Sequence, residues 1–589
     1  MSPTSDNSNH DSLTNYAAYR TKDGSARIGH YDLKRQEITP LSYVSGTPLS
    51  SLYEVIEVGE KEIAAAGPAF PASEVKLLAP ISGRDILAVG KNYAEHAAEF
   101  HGSGYDSSDK VAQPTHPVIF TKRATSIIAH GDTIYPHESF TESPDYEGEI
   151  GVIIGKPGFR IREEDAMDHV WGYTIVNDMT ARERQRDHKQ FYIGKSPDTF
   201  CPMGPIAVPK EHLPDNLEVQ THVNGEKRQS ATLKDLIFSI PVLIKTMSEG
   251  QTLQLGDVLA TGTPYGVGFG FRPMKFLREG DEVKISVTGL GSLVNRMASP
   301  KSTNSVTAQV QAQTYVPVSN DRTFGGIGLT EVSNKKLFYR HVGQDNAESF
   351  VLIHGLGGTS DYFTPLTKHF ESSKSLHLSD LEGHGLSPTS ARSTLTISSF
   401  AKDTADMCNV AGVSKGAIVV AHSMGCLVAV KLALDHPELV AKLVLMGPPP
   451  SPLPEAGAKA THGRAAIVRE KGMLGVVDAV VGAGTSQTTQ SSRPMAVAAT
   501  RLSLLSQDPE GYAKACTALA SAEGLDFSQL KCPTFILTGT DDKVSPPQLC
   551  EKYSGQISGS KMKVLEGIGH WHLFEDPQGV VDAIVGFVG

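Results

Sequence analysis

AIVVAHSMGCLVAVKLALDHP, residues 417–437, joins an apolar strand pattern to an amphipathic helix pattern through a turn at Ser423. A tight turn between a buried strand and a helix lifts the serine hydroxyl above the end of a sheet. Ala421 and Gly425, on either side of the serine, are small enough for the close packing that such a turn needs. The stretch therefore predicts an α/β sheet with an exposed serine at a strand end.

The sequence around this turn repeats the same alternation. The apolar runs SFVLIHG, AIVVAHS, KLVLMG, TFILTG and KVLEG are separated by helical patterns, as in a parallel α/β sheet. Residues from about 448 to 530 lie between two of these strands and are interpreted as a helical cap, whose inner face would choose the substrate. Arg501 of the cap is interpreted as an ordinary exposed charge.

Further groups suited to acyl chemistry accompany the serine. HGLG, residues 354–357, ends a strand and can aim the Leu356 N–H, together with the Met424 N–H, at a developing oxyanion. Acidic residues and then histidines follow in ILTGTDDKVSPP and EGIGHWHLFEDP. The order Ser, Asp, His predicts nucleophilic attack by the serine on a carbonyl.

With SDLEGHGLS at 379–387 in the place of a D-x-x-G-x-G-x-S turn, these motifs resemble the α/β-hydrolase family across residues 326–589. The resemblance implies that Ser423 is the nucleophile, Asp542 the acid that orients the base, and His570 the base. It leaves Asp541 as a solvated turn residue and His572 as a residue at the start of a helix.

The first half of the chain raises a different question at SPDYEGEIGVIIGKPG, residues 143–158. Glu147 and Glu149 lie two apart on a strand pattern, so their side chains share a face, and an unpaired buried carboxylate is costly. VWGYTIVNDMTARERQRDHKQ, 170–190, ends another strand at Asp178. Three carboxylates without histidine or cysteine favour a hard cation, Mg²⁺ or Mn²⁺.

Six motifs resemble the fumarylacetoacetate hydrolase family across residues 75–298: ILAVGKNYAEHAAEF, PVIFTKRATSIIAHGDTI, DYEGEIGVIIGK, NDMTARERQ, GKSPDTFCPMGP and TGTPYGVGFG. The resemblance implies a mixed β-roll, an α+β fold that is usually dimeric, and hence a homodimer through this domain. It implies that the metal ligands are Glu147, Glu149 and Asp178.

The same resemblance gives roles to further side chains. His96 and Glu99 are three apart and share a helix face, and the family uses such a pair to orient and deprotonate a water. Four other residues would bind a substrate carboxylate or keto oxygen, the last through its hydroxyl: Arg182, Gln185, Lys195 and Thr263.

The 589 residues exceed what one hydrophobic core organises, so a multi-domain chain is expected. Mostly strand patterns precede the serine/threonine-rich stretch at 299–325, with LKDLIFSIPVLIKTMSEG at 233–250 as the clearest helix. The predicted parts are an N-terminal β extension of the first domain at 1–74, a fumarylacetoacetate hydrolase-like domain at 75–298, a linker at 299–325 and an α/β-hydrolase domain at 326–589.

Composition bears on the partners and the cellular compartment of the protein. The net charge of −11 argues against nucleic acid as a partner, and no apolar run reaches the roughly 18–20 residues of a membrane span. The first residues, MSPTSDNSNHDS, lack the pattern of a secretory signal. Six cysteines occur without CxxC spacing, which suits a reducing compartment. We therefore expect a cytoplasmic enzyme that acts on small carbonyl compounds.

The two halves together predict a bifunctional hydrolase. The metal-dependent half would hydrolyse a C–C bond, decarboxylate or tautomerise an oxo acid or 1,3-dicarbonyl compound, since all three reactions pass through an enolate that a cation stabilises. The serine half would open an ester, enol-lactone or C–C bond. The two reactions would be consecutive steps, in either order, of aromatic or polyketide catabolism. In the alternative interpretation only one domain is catalytic and the other is a scaffold or dimerisation module.

Overall fold

The computed structural model describes residues 13–22, 24–101, 103–105, 113–302, 309, 329–413 and 416–589. The chain divides into two compact units, residues 1–318 and 319–589. The first twelve residues lie outside the described part of the chain, and so does the predicted linker at 299–325, except for residues 299–302 and 309.

The first unit consists mostly of short strands. They are β1 (Tyr16–Arg20), β2 (Ala26–Asp32), β3 (Glu37–Tyr43), β4 (Ile63–Ala65), β5 (Phe70–Pro71), β6 (Lys76–Leu78), β7 (Ile86–Gly90), β8 (Val118–Lys122), β9 (Ile127–Ala129), β10 (Thr133–Ile134), β11 (Pro144–Asp145), β12 (Gly148–Ile154), β13 (Val170–Asn177), β14 (Thr180–Ala181), β15 (Cys201–Met203), β16 (Val208–Pro209), β17 (Glu218–Val223), β18 (Glu226–Thr232), β19 (Val258–Ala260), β20 (Glu282–Val287) and β21 (Gly291–Met297). The α-helices between them are short: α1 (Leu52–Val58), α2 (Ala94–His101), α3 (Arg182–His188), α4 (Tyr192–Lys195) and α5 (Ile240–Ser248).

Three larger sheets organise this unit in the described residues. The first has the order β4-β3-β2-β1-β6 with β5 beside β3, the second the order β10-β21-β20-β17-β18, and the third the order β8-β7-β19-β12-β13-β15-β9 with β16 beside β13. Strand β12 lies inside the third sheet and every one of its residues is buried. The predicted mixed, mostly β architecture is confirmed.

The predicted helix at 233–250 forms only in its second part. Leu233–Asp235 make a single 3₁₀ turn that Thr232 and Asp235 cap. Helix α5 begins at Ile240, after Ser239 at the N-cap and with Pro241 in its first turn. Proline has no N–H to donate and is tolerated only in the first turn of a helix, so the helix starts here and does not run through from residue 233.

The second unit alternates strands and helices. Its strands are β22 (Leu329–Val332), β23 (Lys335–Gly343), β24 (Ser349–Ile353), β25 (Ser375–Ser379), β26 (Ala417–His422), β27 (Val440–Met446), β28 (Thr534–Gly539) and β29 (Lys561–Leu565). Its helices are α6 (Thr364–Phe370), α7 (Ile397–Val410), α8 (Met424–Asp435), α9 (Glu455–Lys471), α10 (Val477–Gly484), α11 (Gln487–Ser492), α12 (Pro494–Leu505), α13 (Pro509–Ala520), α14 (Pro547–Gln556), α15 (His572–Glu575) and α16 (Pro577–Val588).

The described residues of this unit form one eight-stranded sheet in the order β22-β23-β25-β24-β26-β27-β28-β29. From β25 to β29 every pairing is parallel, which confirms the parallel sheet expected from the sequence. Hydrophobic clusters pack on both faces of the sheet. Helices α9 to α13 lie between β27 and β28, where the sequence predicts the cap.

None of the described helices combines the length and apolarity that a bilayer-spanning segment needs.

Candidate active sites

Strand register brings three acidic side chains together in the first unit. In the antiparallel pair β12 and β13, Gly148 lies opposite Asn177. The same register places Glu147 opposite Asp178, just beyond the end of the two strands. The Asp178 N–H donates to the Glu147 carbonyl over 2.8 Å, which closes this end of the ladder. One carboxylate oxygen from each of Glu147, Glu149 and Asp178 lies within 4.8 Å of the other two, and all three residues are buried.

Buried bases neutralise most of this negative charge. Lys195 Nζ donates to Glu147 Oε2 over 2.7 Å and to Asp178 Oδ2 over 2.6 Å. Lys122 Nζ lies 2.6 Å from Asp178 Oδ1, and Arg182 Nη1 lies 2.7 Å from Glu147 Oε1. Burial raises the pKa of Glu147, but Lys195 and Arg182 outweigh burial and hold this pKa at about 2.

Glu149 lacks such compensation. Its Oε2 accepts from the Gly262 N–H over 2.8 Å, whereas its buried Oε1 has no hydrogen-bond partner among the described residues. Burial, and then the neighbouring Asp178 and Glu147, raise the pKa of Glu149 well above its usual value. A buried oxygen without a partner is costly unless a cation or donor satisfies it. The donor set is made only of oxygen, so the cluster fits a divalent hard cation.

Gly148 separates the two glutamates and permits the close packing behind them. A Cβ at this position would collide with the Thr221 hydroxyl of β17, and it would lie 3.2 Å from Ile285 of β20. The Gly148 N–H donates to Gln229 Oε1 over 3.1 Å. The strand that carries the glutamates therefore packs directly against the neighbouring sheet because residue 148 has no side chain.

Helix α2 covers this cluster with a histidine–carboxylate pair. His96 Nδ1 lies 3.1 Å from Glu99 Oε2, and the Glu99 carboxylate accepts weakly from the Gly266 N–H at 3.4 Å. The helix is held by a small aromatic cluster separate from the main core, formed by Phe100, Phe191, Val267 and Phe269. The cavity that His96 lines together with Glu147 and Lys195 has a volume of only about 10 Å³.

The closed cavity gathers most of the side chains to which the family resemblance gives a role in this unit. Its lining includes His96, Glu147, Arg182, Gln185, Lys195 and Thr263. Arg182 Nη2 is buried without a partner in the described residues and is available to an incoming anion. The Thr263 hydroxyl instead donates to the Gly148 carbonyl over 3.1 Å and accepts from Gln229. Glu149 and Asp178 are not part of this lining.

In the second unit, Ser423 occupies the sharp turn between β26 and α8. Its φ of 52° lies in the left-handed region, which a residue with a side chain adopts only under constraint. The turn is held by the Ser423 N–H, which donates to the Met446 carbonyl over 2.9 Å. It also needs the close approach of Gly355, where a Cβ would lie 2.7 Å from Ser423 Cβ.

The predicted serine, histidine and aspartate form one continuous hydrogen-bonded chain. His570 Nε2 lies 2.7 Å from Ser423 Oγ, and His570 Nδ1 lies 2.9 Å from Asp542 Oδ2. Asp542 Oδ1 accepts from the backbone N–H groups of Val544 and Ser545 at 2.9 and 2.8 Å. The arrangement suits proton transfer from the serine to an imidazole held in one orientation.

His572 lies closer to this chain than the sequence indicates. It begins helix α15 as expected, but it is fully buried, and its Nε2 lies 3.3 Å from Asp542 Oδ2. Burial raises the pKa of Asp542, but His570 and His572 outweigh burial and hold the pKa of this carboxyl well below its usual range. The carboxylate therefore contacts two histidines.

The predicted oxyanion donors flank the serine. Met424 is the first residue of α8, so its N–H has no partner within the helix. Leu356 lies in the turn after β24 and lines the cavity at Ser423. In the described part of the chain, neither the Met424 nor the Leu356 N–H donates to another protein group. Both are therefore available to a substrate oxygen.

A large apolar cavity opens at Ser423 and His570. Its volume is about 560 Å³, and most of its lining comes from helices of the predicted cap. Arg501 is not in this lining and pairs with Asp478 at the surface, in agreement with its interpretation as an exposed charge. Arg464 of α9, which the sequence analysis did not select, does line it.

Two buried charges of the first unit were also missed. Lys122 ends β8 and contacts Asp178, and Asp145 accepts from Arg182 Nε over 2.8 Å. Both lie inside the motifs PVIFTKRATSII and DYEGEIG, where a charge next to an apolar run was the available signal. Asp145 also accepts from the Gly268 N–H over 2.7 Å and so links Arg182 to the loop after β19.

Comparison with known proteins assigns a family to each unit. Residues 85–298 match the family model described as fumarylacetoacetate (FAA) hydrolase C-terminal, and residues 348–516 match the alpha/beta hydrolase fold. Both resemblances read from the sequence are confirmed. Both families support an enzyme of the hydrolase or isomerase type.

Relatives match the first unit. Oxaloacetate tautomerase YisK of Bacillus subtilis is 53% identical over 232 residues, 39% of this chain and 75% of that protein. An uncharacterised protein of Staphylococcus aureus, SAUSA300_0871, is 36% identical over 277 residues, 45% of this chain and 89% of that protein. A solved structure of a fumarylacetoacetate hydrolase from Exiguobacterium antarcticum is 37% identical with a TM-score of 0.41, and it covers 49% of this chain and 99% of that one.

Proposed function

From its membership of the fumarylacetoacetate hydrolase family and from the α/β-hydrolase domain that follows, we propose that this chain is a bifunctional enzyme. The first unit would act on oxo acids with a divalent cation, Mg²⁺ or Mn²⁺. The second would hydrolyse a carbonyl compound through Ser423. The proposal places both reactions in the cytoplasm and pairs two copies of the chain through the first unit.

The observation that carries the first activity is the uncompensated Glu149. Its partnerless Oε1 lies in a cluster where Lys122, Arg182 and Lys195 contact the other acids and no described base contacts it. Glu147, Glu149 and Asp178 would hold the cation. Bound there, a divalent cation would stabilise the enolate of a 2-oxo acid.

The chain's own groups would bind the substrate and move its proton. Arg182 Nη2, which has no partner in the described residues, would donate to a substrate carboxylate, with Gln185 and Lys195 beside it in the cavity. His96 is oriented by Glu99 through Nδ1, which leaves Nε2 to take a proton from carbon or water and to return it. Opening and closing of α2 would admit the substrate.

Among the reactions open to this site, we favour keto–enol tautomerisation of a four-carbon oxo acid such as oxaloacetate. The support is the 53% identity to a relative named oxaloacetate tautomerase. In that reaction a proton leaves the carbon beside the keto group and the enol oxygen is protonated, so nothing is consumed. C–C hydrolysis and decarboxylation use the same enolate and remain the alternatives.

The observation that carries the second activity is the hydrogen-bonded chain from Ser423 through His570 to Asp542. Ser423 Oγ would bond to the carbonyl carbon while His570 accepts its proton. The Leu356 and Met424 N–H groups would hold the oxyanion, and the leaving group would depart with the proton. Water would then release the acyl group from the serine. An ester, enol-lactone or C–C bond fits this sequence of steps. The reaction of the oxo acid in the first unit would come before or after this cleavage.

Glu149→Gln tests the metal-dependent half. The change keeps the shape of the side chain and removes the charge, so Mn²⁺ affinity measured by calorimetry should fall at least roughly 100-fold. Oxaloacetate tautomerisation, followed by the absorbance of the enol, should fall with it, whereas ester cleavage should persist. Glu282→Gln is the matched control, because Glu282 pairs with Arg296 outside the cluster.

Wild-type tautomerisation by thoroughly chelated full-length protein would contradict the metal-dependent proposal. Release of pyruvate from oxaloacetate in place of enol exchange would assign decarboxylation instead.

A further inference from the structure

The lining of the cavity at Ser423 is mostly apolar. Its walls include Leu453, Ile467, Val476, Val480, Leu519 and Trp571. Among the described lining residues, Arg464 is the one lysine or arginine, and none is aspartate or glutamate. A cavity with apolar walls and a single cation suits a substrate that carries an apolar chain and one negative charge.

Arg464 reaches the chamber from the inner face of α9. Ala460, Gly463, Arg464 and Ile467 all line the cavity, and their spacing places them on one side of the helix. Small residues at 460 and 463 leave room beside the guanidinium. Unlike Arg469 of the same helix, which pairs with Glu510, Arg464 has no carboxylate partner in the part of the chain that the structure describes.

A second polar group lies beside it. Tyr512 of α13 is fully buried and lines the same cavity. The Arg464 guanidinium lies near enough to influence this hydroxyl. A guanidinium without a carboxylate partner in the described residues and a neighbouring phenol therefore line one cavity.

Resting on the proposed serine chemistry, we propose that Arg464 and Tyr512 form an anion subsite that selects carbonyl substrates with a carboxylate at the far end of an apolar chain. The guanidinium and the phenol offer donors to the two oxygens of a planar carboxylate. A phosphate dianion would need more positive charge than one arginine supplies. The apolar walls between this subsite and Ser423 would pack the chain of the substrate.

The test compares two esters that differ only at the far end: p-nitrophenyl hexanoate and the mono-p-nitrophenyl ester of adipic acid. Full-length protein should prefer the acid, measured as kcat/KM. Arg464→Gln should lower the acid-to-neutral ratio roughly 10- to 100-fold, the worth of a charged hydrogen bond. The acid-to-neutral ratio of Arg464→Lys should fall between those of the wild type and Arg464→Gln. Arg501→Gln, on the exposed side of the cap, should keep the wild-type ratio.

Binding separates failure of the subsite from failure of the serine chemistry. Full-length Ser423→Ala protein should bind monomethyl adipate at least roughly 10-fold more tightly than methyl hexanoate in calorimetry. Adding Arg464→Gln should remove that advantage. The subsite proposal would be overturned if the two esters bound with equal affinity. It would also be overturned if Arg464→Gln weakened the binding of both esters by the same factor. Absence of fluorophosphonate labelling at Ser423 would overturn the serine chemistry and leave the binding result to decide the subsite.

Discussion

Each unit holds a histidine against a carboxylate, and the two pairs are built in opposite ways. His96 and Glu99 lie on successive turns of one short helix, 3.1 Å apart, over a cavity of about 10 Å³. His570 and Asp542 come from different loops at the ends of the sheet, 2.9 Å apart, beside a cavity of about 560 Å³. The first pair lies within one helix, and the second joins two loops at the end of the sheet.

The residues around the two pairs also differ, in their charge. The first site is dense in charge, with four buried acids against three buried bases: Asp145, Glu147, Glu149 and Asp178 against Lys122, Arg182 and Lys195. The second is mostly apolar, and Arg464 is the one lysine or arginine in its described lining. A charged site suits a small anionic substrate enclosed by a closing helix. An open apolar cavity suits a longer substrate that enters a preformed space.

The largest expected effect tests whether the two sites are independent. Ser423→Ala should lower ester cleavage by roughly 10⁴-fold or more, because the nucleophile is lost. Oxo-acid tautomerisation should remain at the wild-type rate. Both rates are measured on the same full-length preparation, with Ser506→Ala in the exposed part of the cap as the control. Loss of both activities in Ser423→Ala would mean that the two constellations form one composite site.

The next effect concerns the pair carried by the helix. His96→Asn should slow oxo-acid turnover by roughly 10²–10⁴-fold, the usual contribution of a positioned general base. Mn²⁺ affinity should change little, since His96 is outside the carboxylate cluster. His101→Asn, exposed at the end of the same helix, is the matched control. A large fall in metal affinity in His96→Asn would contradict the division of roles.

The smallest effect concerns the second histidine at Asp542. His572→Phe should lower ester kcat/KM by about 10-fold or less, since the direct contact from His570 remains. It should also lower the free energy of unfolding near neutral pH, because part of the depression of the Asp542 pKa is lost.

The pH dependence gives a separate readout. A carboxylate with a depressed folded-state pKa contributes stability above its unfolded value of about 3.9, and this is lost as pH falls through the folded value. The gap between wild type and His572→Phe should therefore be full near pH 6 and should close as the pH falls from about 3.9 through the depressed folded-state pKa of Asp542. Denaturation can be followed through Trp571 in a Trp171→Phe background, since the chain has two tryptophans. A constant gap across this range would leave His572 a packing role only.

Local sequence patterns predicted those site residues that lie together in one short motif. Glu147 and Glu149 share a face because strand period is two, and His96 and Glu99 share a face because they are three apart on a helix. The elbow at Ser423 follows from a strand, a turn and a helix in succession. In each case the information lies within a few residues of the position concerned.

The partners that set the charge of each site come from distant parts of the chain. Lys122 reaches Asp178 from another strand, and His572 of α15 contacts Asp542 in the loop after β28. Arg464 and Arg501 both lie in cap helices, and the sequence offers no local sign of which one faces the cavity. Burial and pairing of these groups depend on tertiary packing, which periodicity does not encode.

The missing side chain at residue 148 limits how the first site can change. Any substituent there would collide with Thr221, so the spacing between the two glutamates is tied to the fit of one sheet against the next. A side chain at residue 148 would therefore push β12 away from β17 and shift both glutamates together, so a change at this one position would act on the whole carboxylate cluster.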